Sequence, residues 1–310
     1  IGQHNIHSCA PFSMASDDIE TVDIPNGETI AYRSREGGDI PVVLVHGNIS
    51  SSKHWDVVFE RLDDRFALYA PDLRGFGESS YETPIDSLAD LADDLEYFVD
   101  EIGLDTFSLW GWSTGAGVSM KIAADLPDRV SRLVLMAPPG TQGLPFYERD
   151  DDGQPTETVL TTREELAQDS VAIRPGMEAT ENNDYEAMRD IWEKSIFYGD
   201  GPDDERFDAY VREALKQRHY LDICYALVHF NISTEHNGIE PGTGEVENIT
   251  APTLVLRGDH DYVVTREMSE EVVTDIEDAR FVELVDSGHG PTIDAPEQLF
   301  DEVVPFLAEE

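Results

Sequence analysis

The stretch that decides the fold is FSLWGWSTGAGVSMKIAAD, residues 107–125. Its first four residues form a short apolar run typical of a buried β-strand, and residues 116–125 have a helical pattern. Between them lies Gly111-Trp112-Ser113-Thr114-Gly115, which matches the pattern G-x-S-x-G. A serine on so tight a strand-to-helix turn is strained and exposed, and it needs small neighbours. The stretch therefore predicts a nucleophile at Ser113; the alternative is a turn serine that only caps the helix.

Short apolar runs of the same kind recur on both sides of this turn. They lie at residues 40–45, 66–70, 133–137, 253–257 and 281–285, and a strand-turn-strand pattern at residues 20–34 precedes them. Helical patterns separate most of the runs. The clearest ends before Gly103 and has apolar residues at three- and four-residue steps, namely Leu88, Leu91, Leu95, Phe98 and Ile102. This alternation predicts an α/β fold, with a mostly parallel sheet flanked by helices.

The alternation of strands and helices stops after Ala137 and resumes at Thr253. The intervening segment has no convincing core strand, and its helical patterns lie at residues 162–168, 185–197, 205–218 and 221–230. The first begins with Thr162 and Glu165 at the spacing of a capping box. We therefore expect a core of residues 19–138 and 249–310, an inserted helical cap at residues 139–248, and a disordered leader at residues 1–18.

The charge of the chain excludes some functions. The 310 residues include 65 acidic and 21 basic ones, for a formal net charge of −44. Such a negative field repels nucleic acid and anionic membranes, so we expect neither as a partner. The acidic residues are spread along the chain, and in this it resembles haloarchaeal cytoplasmic proteins. That resemblance predicts that fold and activity need molar salt; an acidic interaction surface and calcium binding are the alternatives.

The cysteines and the apolar runs indicate the compartment. Cys9 and Cys224 offer one possible pair and no CxxC spacing, which is no disulfide framework. No apolar run approaches the length of a membrane span, and residues 1–16 lack the pattern of a secretory signal. We therefore expect a cytoplasmic protein. A metal site at His4, His7 and Cys9 is one interpretation of the leader, and a solvated tail is the preferred one.

A serine nucleophile needs a base, and His289 is the candidate. It lies in Asp286-Ser287-Gly288-His289-Gly290, just beyond the last predicted strand. Ligands of doubly wound sheets bind at the carboxyl ends of the strands, where a histidine on this loop can reach Ser113. The chain order serine, acid, histidine is also the one expected for this arrangement.

The acid is expected on the loop after the preceding strand, in Arg257-Gly258-Asp259-His260-Asp261-Tyr262. A buried carboxylate there would fix the histidine tautomer and stabilise the imidazolium. We prefer Asp261 to Asp259, because Asp261 is far enough from the strand end to bend back toward His289. A metal site in this segment is disfavoured, since adjacent residues of an extended segment point in different directions.

Two further loops follow predicted strands. In His46-Gly47-Asn48, the backbone amide of Asn48 is expected to form an oxyanion hole with the amide of Thr114. His46 is interpreted as structural, holding the loop by hydrogen bonds. Residues 72–79 are expected to form an ordered turn with an Asp72–Arg74 scaffold.

The motifs HGN, PDLRGFGES, GWSTG, RGDHDYVV and DSGHG occur in this order over residues 20–308. With them the chain resembles the α/β-hydrolase superfamily with a helical cap. HGNISSSKHWD, RGFGESSYETPIDSL, GWSTGAG and HFNISTEHNG are similar to Bacillus-type intracellular poly(3-hydroxybutyrate) depolymerases. The resemblance implies Ser113 as nucleophile, Asp261 as acid and His289 as base. Dehalogenases and epoxide hydrolases instead carry an aspartate nucleophile, which disfavours an alkyl-enzyme mechanism.

The expected chemistry is hydrolysis of a carboxylic ester through an acyl-enzyme, with no cofactor or metal. The partner would be a small-molecule or oligomeric ester, for example of 3-hydroxybutyrate. A C–C bond hydrolase, a lactonase and a generic short-acyl esterase remain open, as does a non-catalytic binding protein; the sequence leaves the oligomeric state open. Aromatic residues of the cap predict an apolar cavity, with the alternative that they are only cap core: Phe146, Tyr147, Trp192, Phe197, Tyr198, Tyr225 and Phe230. The aromatic residues expected to bind substrate are Trp112, Trp192, Phe197 and Tyr225.

Overall fold

The computed structural model describes residues 19–150 and 152–309. Within them the strands are β1 (Glu20–Asp23), β2 (Thr29–Arg35), β3 (Ile40–Val45), β4 (Phe66–Pro71), β5 (Phe107–Trp112), β6 (Val130–Met136), β7 (Tyr147–Arg149), β8 (Pro155–Val159), β9 (Thr253–Gly258) and β10 (Ala279–Leu284). The helices are α1 (Asp56–Arg61), α2 (Leu88–Glu101), α3 (Thr114–Asp125), α4 (Arg163–Leu166), α5 (Arg174–Glu181), α6 (Tyr185–Ser195), α7 (Asp204–Ala214), α8 (Tyr220–His229), α9 (Arg266–Asp275), α10 (Pro291–Asp294) and α11 (Pro296–Ala308). Short 3₁₀ helices lie at Ser52–Trp55 and Glu245–Asn248.

One large sheet organises the chain. Its eight strands have the order β1-β2-β4-β3-β5-β6-β9-β10. The pairings of β1 with β2 and of β2 with β4 are antiparallel, and all the others are parallel. The expected α/β fold with a mostly parallel sheet is therefore confirmed.

The central strands are the continuous apolar runs of the sequence because helices cover both faces of a parallel sheet. Every residue of β5 is buried, as is every residue of β9. Strand β5 lies between β3 and β6, with Leu44 opposite Trp110 and Trp110 opposite Val134. The carboxyl ends of β3, β5, β6 and β9 therefore meet at one edge of the sheet.

Helix α2 shows how local sequence sets an element. Ser87 caps its first turn in a capping box with Asp90, and Gly103 follows its end with a φ of +74°. Glycine adopts this left-handed conformation without the penalty that a Cβ atom brings. Four of the five apolar residues at helical spacing are buried against the core, namely Leu88, Leu91, Leu95 and Phe98, and Ile102 is partly buried.

Residues 139–248, here called the inserted segment, contribute no strand to the large sheet. They contain α4, α6, α7 and α8 close to the expected positions, whereas α5 was not expected; the capping box of Thr162 and Glu165 is confirmed. The hairpin of β7 and β8 was not anticipated, since its strands are short and mostly exposed. Its two strands pair only with each other among the described residues.

The expected Asp72–Arg74 scaffold is wrong. The guanidinium of Arg74 instead pairs with Asp94 of α2, with Nε 2.6 Å from one carboxylate oxygen and an Nη atom 2.7 Å from the other. Asp72 accepts hydrogen bonds from the backbone amides of Ser52 (2.7 Å) and Glu78 (2.9 Å). Both carboxylates are buried, and each is satisfied by donors that lie far away in sequence or across a turn.

The predictions made for the leader, including His4, His7 and Cys9, lie outside the described residues. Cys224 is a free, buried cysteine, and burial raises the pKa of its thiol to about 12. Among residues 19–150 and 152–309, no helix is long and apolar enough to cross a membrane. The same residues contain no cluster of three or more histidine, cysteine or acidic side chains that could hold a metal ion.

Candidate active site

Ser113 stands on a strained turn between β5 and α3. Its φ of +54° and ψ of −123° lie outside the regions that non-glycine residues favour. The flanking glycines make the turn possible. A Cβ atom at Gly115 would lie 2.1 Å from the carbonyl oxygen of Val45, and one at Gly111 would lie 2.5 Å from that of Gly115. The turn thus brings the serine hydroxyl to the edge of the sheet, immediately before the first residue of a twelve-residue helix.

His289 lies within hydrogen-bonding distance of Ser113. The Nε2 atom of the imidazole is 2.9 Å from the Oγ atom of the serine. The histidine belongs to the loop between β10 and α10, and its ring is buried. The indole N–H of Trp112 donates to the backbone oxygen of His289 at 2.8 Å, which ties this loop to the serine turn.

Asp261 completes a line of three side chains. One of its carboxylate oxygens is 2.8 Å from Nδ1 of His289, and the other accepts from the backbone amides of Val263 (2.8 Å) and Val264 (3.0 Å). A carboxylate can only accept, so Nδ1 of neutral His289 carries the proton. Its Nε2 atom is then the acceptor for the Ser113 hydroxyl. The two contacts therefore orient the imidazole as a base.

Asp259, the alternative acid, faces away from His289. Its carboxylate binds Nδ1 of His260 at 2.7 Å and the backbone amide of Ser287 at 3.2 Å. Burial raises the pKa of the Asp259 carboxyl, but the hydrogen bonds from His260 and the loop amides outweigh it and lower the pKa overall. Asp259 thus stabilises the loop that carries the histidine.

The backbone at Gly47 passes very close to the serine. A Cβ atom at this position would lie 3.0 Å from Cβ of Ser113. Asn48 directly follows Gly47 and Thr114 directly follows Ser113, so both backbone amides lie near the serine, and both residues line the same pocket. Neither amide donates a hydrogen bond to any part of the chain that the structure describes. Both are free to bind an oxygen of a ligand.

His46 holds the loop after β3, as the sequence indicated. Its Nδ1 atom is 2.8 Å from the carbonyl oxygen of Gly47, and its Nε2 atom accepts from the backbone amide of Leu73 at 3.0 Å. Full burial lowers the pKa of His46 to about 4, so the ring is neutral at pH 7. A neutral ring with both nitrogens engaged is structural.

The serine opens into a pocket of about 410 Å³ between the sheet edge and the inserted segment. Most of its lining is apolar, and Arg149 is the one lysine, arginine or acidic side chain among the described lining residues. Apolar side chains line the pocket on the side of the core and on the side of the inserted segment. They include Ile49, Trp112, Leu144, Pro145, Phe146, Ile191, Ile196, Leu227 and Val263. Tyr262, 78% exposed, also lines it and marks the opening to solvent.

Three of the four aromatic residues expected to bind substrate do not line this pocket; only Trp112 does. Trp192 packs against His54 with ring centroids 4.9 Å apart, and Phe197 packs against Phe207 at 5.6 Å. Tyr225 packs against His229 at 4.2 Å. These three expectations are corrected for a physical reason: an aromatic side chain can fill a helical core as well as a cavity, and residue type does not distinguish the two.

Sequence reasoning missed Gln217, whose side chain contacts the loop that carries Asn48. It also missed most of the apolar lining, because Leu144, Ile191, Ile196 and Leu227 belong to segments whose pattern shows only ordinary helix or loop. A positive φ at Ile49, +44°, likewise has no signal in the sequence.

A mostly parallel sheet with a serine on the turn after a central strand, and an aspartate and a histidine on loops after two later strands, defines the alpha/beta hydrolase architecture. Residues 40–296 match the family model described as alpha/beta hydrolase fold. The match covers well over half of the chain. The chain belongs to this family.

Several known proteins are similar to the chain over most of its length. The pimeloyl-acyl-carrier-protein methyl ester esterase of Nitrosomonas europaea is 26% identical over 268 residues, 84% of this chain and 93% of that protein. The solved esterase from Exiguobacterium antarcticum has a TM-score of 0.72 at 20% identity and covers 93% of this chain and 99% of its own. The enol-lactonase from Burkholderia xenovorans also has a TM-score of 0.72 at 20% identity, over 94% and 100%. At such identities the two structures show the fold alone.

Proposed function

We propose that the chain is a serine hydrolase that cleaves a carboxylic ester through an acyl-enzyme. The observation that supports this proposal is the line of hydrogen-bonding distances from Asp261 through His289 to Ser113, ending at an apolar pocket. A base oriented by a buried carboxylate and in contact with a hydroxyl is the arrangement that activates serine for nucleophilic attack.

In the first step, Nε2 of His289 takes the proton of Ser113 as Oγ bonds to the carbonyl carbon of the ester. The electron pair of the C=O bond moves to the oxygen, which the amides of Asn48 and Thr114 bind. When this intermediate collapses, the C–O bond to the alcohol breaks and His289 returns the proton to the leaving oxygen. The acyl group remains on Ser113.

In the second step, water replaces the alcohol. His289 takes a proton from water, the hydroxide oxygen bonds to the acyl carbon, and the same two amides bind the oxygen that becomes negative. The bond from the acyl carbon to Oγ then breaks, and the proton returns to Ser113. The imidazole carries every proton that moves, so these steps draw on the ester, one water and this chain's own groups.

The pocket indicates the class of substrate. Its lining is mostly apolar, which favours an acyl group or alcohol with little charge near the reacting carbon. The relative from Nitrosomonas europaea is named as a methyl ester esterase, which fits ester chemistry. Within this class we propose esters and short oligomers of 3-hydroxybutyrate, on the motif resemblance to intracellular depolymerases. A C–C bond hydrolase, a lactonase and a generic short-acyl esterase would use the same three side chains.

We propose that the inserted segment, residues 139–248, acts as a cap on a core of residues 19–138 and 249–310. It supplies one wall of the pocket, from Leu144 to Leu227, opposite the loops that carry Ser113 and His289. Substrate choice would then depend on the cap, and the chemistry on the core. We further propose that the protein works in the cytoplasm, without nucleic acid or membrane as partner.

An ester panel in molar KCl tests the proposed function. We expect p-nitrophenyl acetate and butyrate, together with dimers and trimers of 3-hydroxybutyrate, to be hydrolysed at a rate that scales with enzyme concentration. Matched amides and a meta-cleavage type diketone serve as comparison substrates. Preference for the diketone would reassign the reaction to C–C bond hydrolysis.

A fluorophosphonate probe separates an enzyme from a non-catalytic binding protein. We expect the intact mass to increase by one probe adduct, located at Ser113 by peptide mapping. A protein that binds esters without turnover, and that the probe does not label in high salt, would instead be a binder with the hydrolase fold.

Salt is expected to stabilise the fold. A formal charge of −44 repels itself in dilute buffer, and at 1 M salt the Debye length shrinks to about 3 Å, which screens that repulsion. We expect the melting temperature to rise by roughly 10 °C or more between 0.1 and 3 M KCl, which corresponds to several kcal/mol for a chain of this size. Differential scanning calorimetry measures the change.

Sucrose is the control for this salt effect, because it stabilises proteins by exclusion from their surface without screening charge. At matched osmolality we expect sucrose to raise the melting temperature much less than KCl. Equal stability at 0.1 and 3 M KCl would contradict the prediction that this chain is adapted to high salt.

A further inference from the structure

Four consecutive residues of the inserted segment, Lys216 to His219, bond to two core loops. These residues, between α7 and α8, are here called the strap. Lys216 contacts the carboxylate of Glu78 at 2.6 Å, and Nε2 of His219 is 2.6 Å from the carbonyl oxygen of Arg74. Arg218 donates to the carbonyl oxygens of Gly75 and Ser79. Three of the four thus bind the loop after β4.

The fourth, Gln217, binds the loop after β3. Its Oε1 atom accepts from the backbone amide of Ile49 at 2.9 Å, and its Nε2 atom donates to Oδ1 of Asn48 at 2.6 Å. A backbone amide can only donate, so the contact with Ile49 fixes which end of the Gln217 amide is oxygen. The side chain is 3% exposed. Gln217 therefore holds two adjacent residues with both ends of one amide.

The backbone that Gln217 holds is strained. Ile49 has a φ of +44°, and a β-branched residue in this region is a clear outlier. Such a conformation is energetically costly and persists only where surrounding contacts determine it. The bond from Gln217 to the Ile49 amide is one such contact, and it comes from a residue 168 positions away.

Ile49, the strained residue, directly follows Asn48, whose backbone amide lies near Ser113. The Asn48 side chain is occupied by Gln217, whereas its backbone N–H has no partner among the described residues and lies beside Ser113, where the chain passes at Gly47. Rotation of the Asn48–Ile49 peptide toward a relaxed φ would also reorient the backbone on the Asn48 side. The contacts of Gln217 thus constrain the segment that carries the Asn48 amide.

We propose that Gln217 is a positioning residue for the oxyanion hole, through which the inserted segment controls the amide of Asn48. This inference rests on the proposed function. It makes the catalytic site incomplete whenever the strap leaves the core, so that turnover requires the segment to be seated. Gln217 itself touches neither Ser113 nor the reacting carbonyl, since it is absent from the pocket lining.

Gln217→Met tests the proposal, because methionine keeps the length of the side chain and removes both hydrogen bonds. Loss of a whole oxyanion donor lowers kcat by about 10²–10³, so partial misplacement of the Asn48 amide should lower kcat by roughly 10–100-fold. We expect KM to change by less than about threefold, because the donor acts in the transition state. Affinity for a trifluoromethyl ketone, whose adduct carries the oxyanion, should fall in parallel with kcat/KM.

Lys216→Met is the matched control. It removes the bonds of Lys216 to Glu78 and Glu213, while both bonds of Gln217, to Asn48 and Ile49, remain. We expect its kcat to stay near that of the wild type even if its melting temperature falls. Gln217→Glu is the conservative rescue: its carboxylate still accepts from the Ile49 amide, so it should recover part of the kcat that Gln217→Met loses.

Hydrogen exchange of the peptide that contains Ile49 gives a readout independent of activity. Exchange should be faster in Gln217→Met than in Lys216→Met or the wild type. If the wild type is active and Gln217→Met leaves both kcat and the exchange rate at their wild-type values, the inference about Gln217 is overturned and the proposed function is not affected. A wild type that neither hydrolyses esters nor reacts with a fluorophosphonate overturns the proposed function, and the inference with it.

Discussion

Replacing Ser113 by alanine is expected to reduce kcat by about 10⁶-fold, the loss typical of removing the nucleophile of a serine hydrolase. Without Oγ no acyl-enzyme can form, and His289 retains only water to activate. Substrate should still bind, since the apolar pocket is unchanged. Steady-state hydrolysis of a p-nitrophenyl ester measures the loss, and labelling by a fluorophosphonate should disappear with it.

Ser119→Ala is the control for this prediction. Ser119 lies on the same helix, is fully buried, and its Oγ atom has no hydrogen-bond partner among the described residues. We expect the kcat of this variant to stay within about twofold of the wild-type value, because Ser119 lies outside the hydrogen-bonded line of Asp261, His289 and Ser113. Ser113→Ala with wild-type turnover would refute the assignment of the nucleophile.

The second large effect is expected for Asp261→Asn, which should lower kcat by about 10⁴-fold. The asparagine can still accept from the amides of Val263 and Val264 through its oxygen, so the loop should keep its fold. Its NH₂ group would face Nδ1 of His289 and favour the wrong tautomer, with the proton on Nε2. Nε2 could then no longer accept the proton of Ser113.

Asp259→Asn separates the two candidate acids. Its carboxylate contacts His260 and the amide of Ser287 rather than His289, so we expect less than about a tenfold loss of kcat. Circular dichroism in the same salt establishes that both variants are folded. A larger loss in Asp259→Asn than in Asp261→Asn would reverse the assignment.

Much of the fold was predictable because its signals are local. A run such as residues 40–45 has apolar side chains at every position, as a strand covered on both faces requires. Helix α2 carries its cap, its apolar stripe and its terminal glycine within 17 consecutive residues, Ser87 to Gly103. The hairpin of β7 and β8 has no such signal, since both strands are short and largely exposed.

The candidate site was predictable in part for the same reason. Ser113 is marked by its two glycines and by its place between a strand and a helix, and His289 and Asp261 follow the ends of later strands. Because parallel strands end at one edge of the sheet, their loops meet there. The structure places His289 between the other two, with its imidazole 2.9 Å from Ser113 and 2.8 Å from Asp261.

The sequence by itself thus determined the α/β architecture and the positions of the candidate nucleophile, base and acid, since strand periodicity and tight turns are properties of neighbouring residues. Tertiary structure alone decided which aromatic residues line the pocket, that Arg74 pairs with Asp94, and that Gln217 holds Ile49 from 168 residues away. These contacts join segments that are distant in sequence. The local pattern of each segment shows only that an apolar side chain will be buried or that a polar one will find a partner, and it does not show which partner. Only packing of the whole chain selects one partner among many.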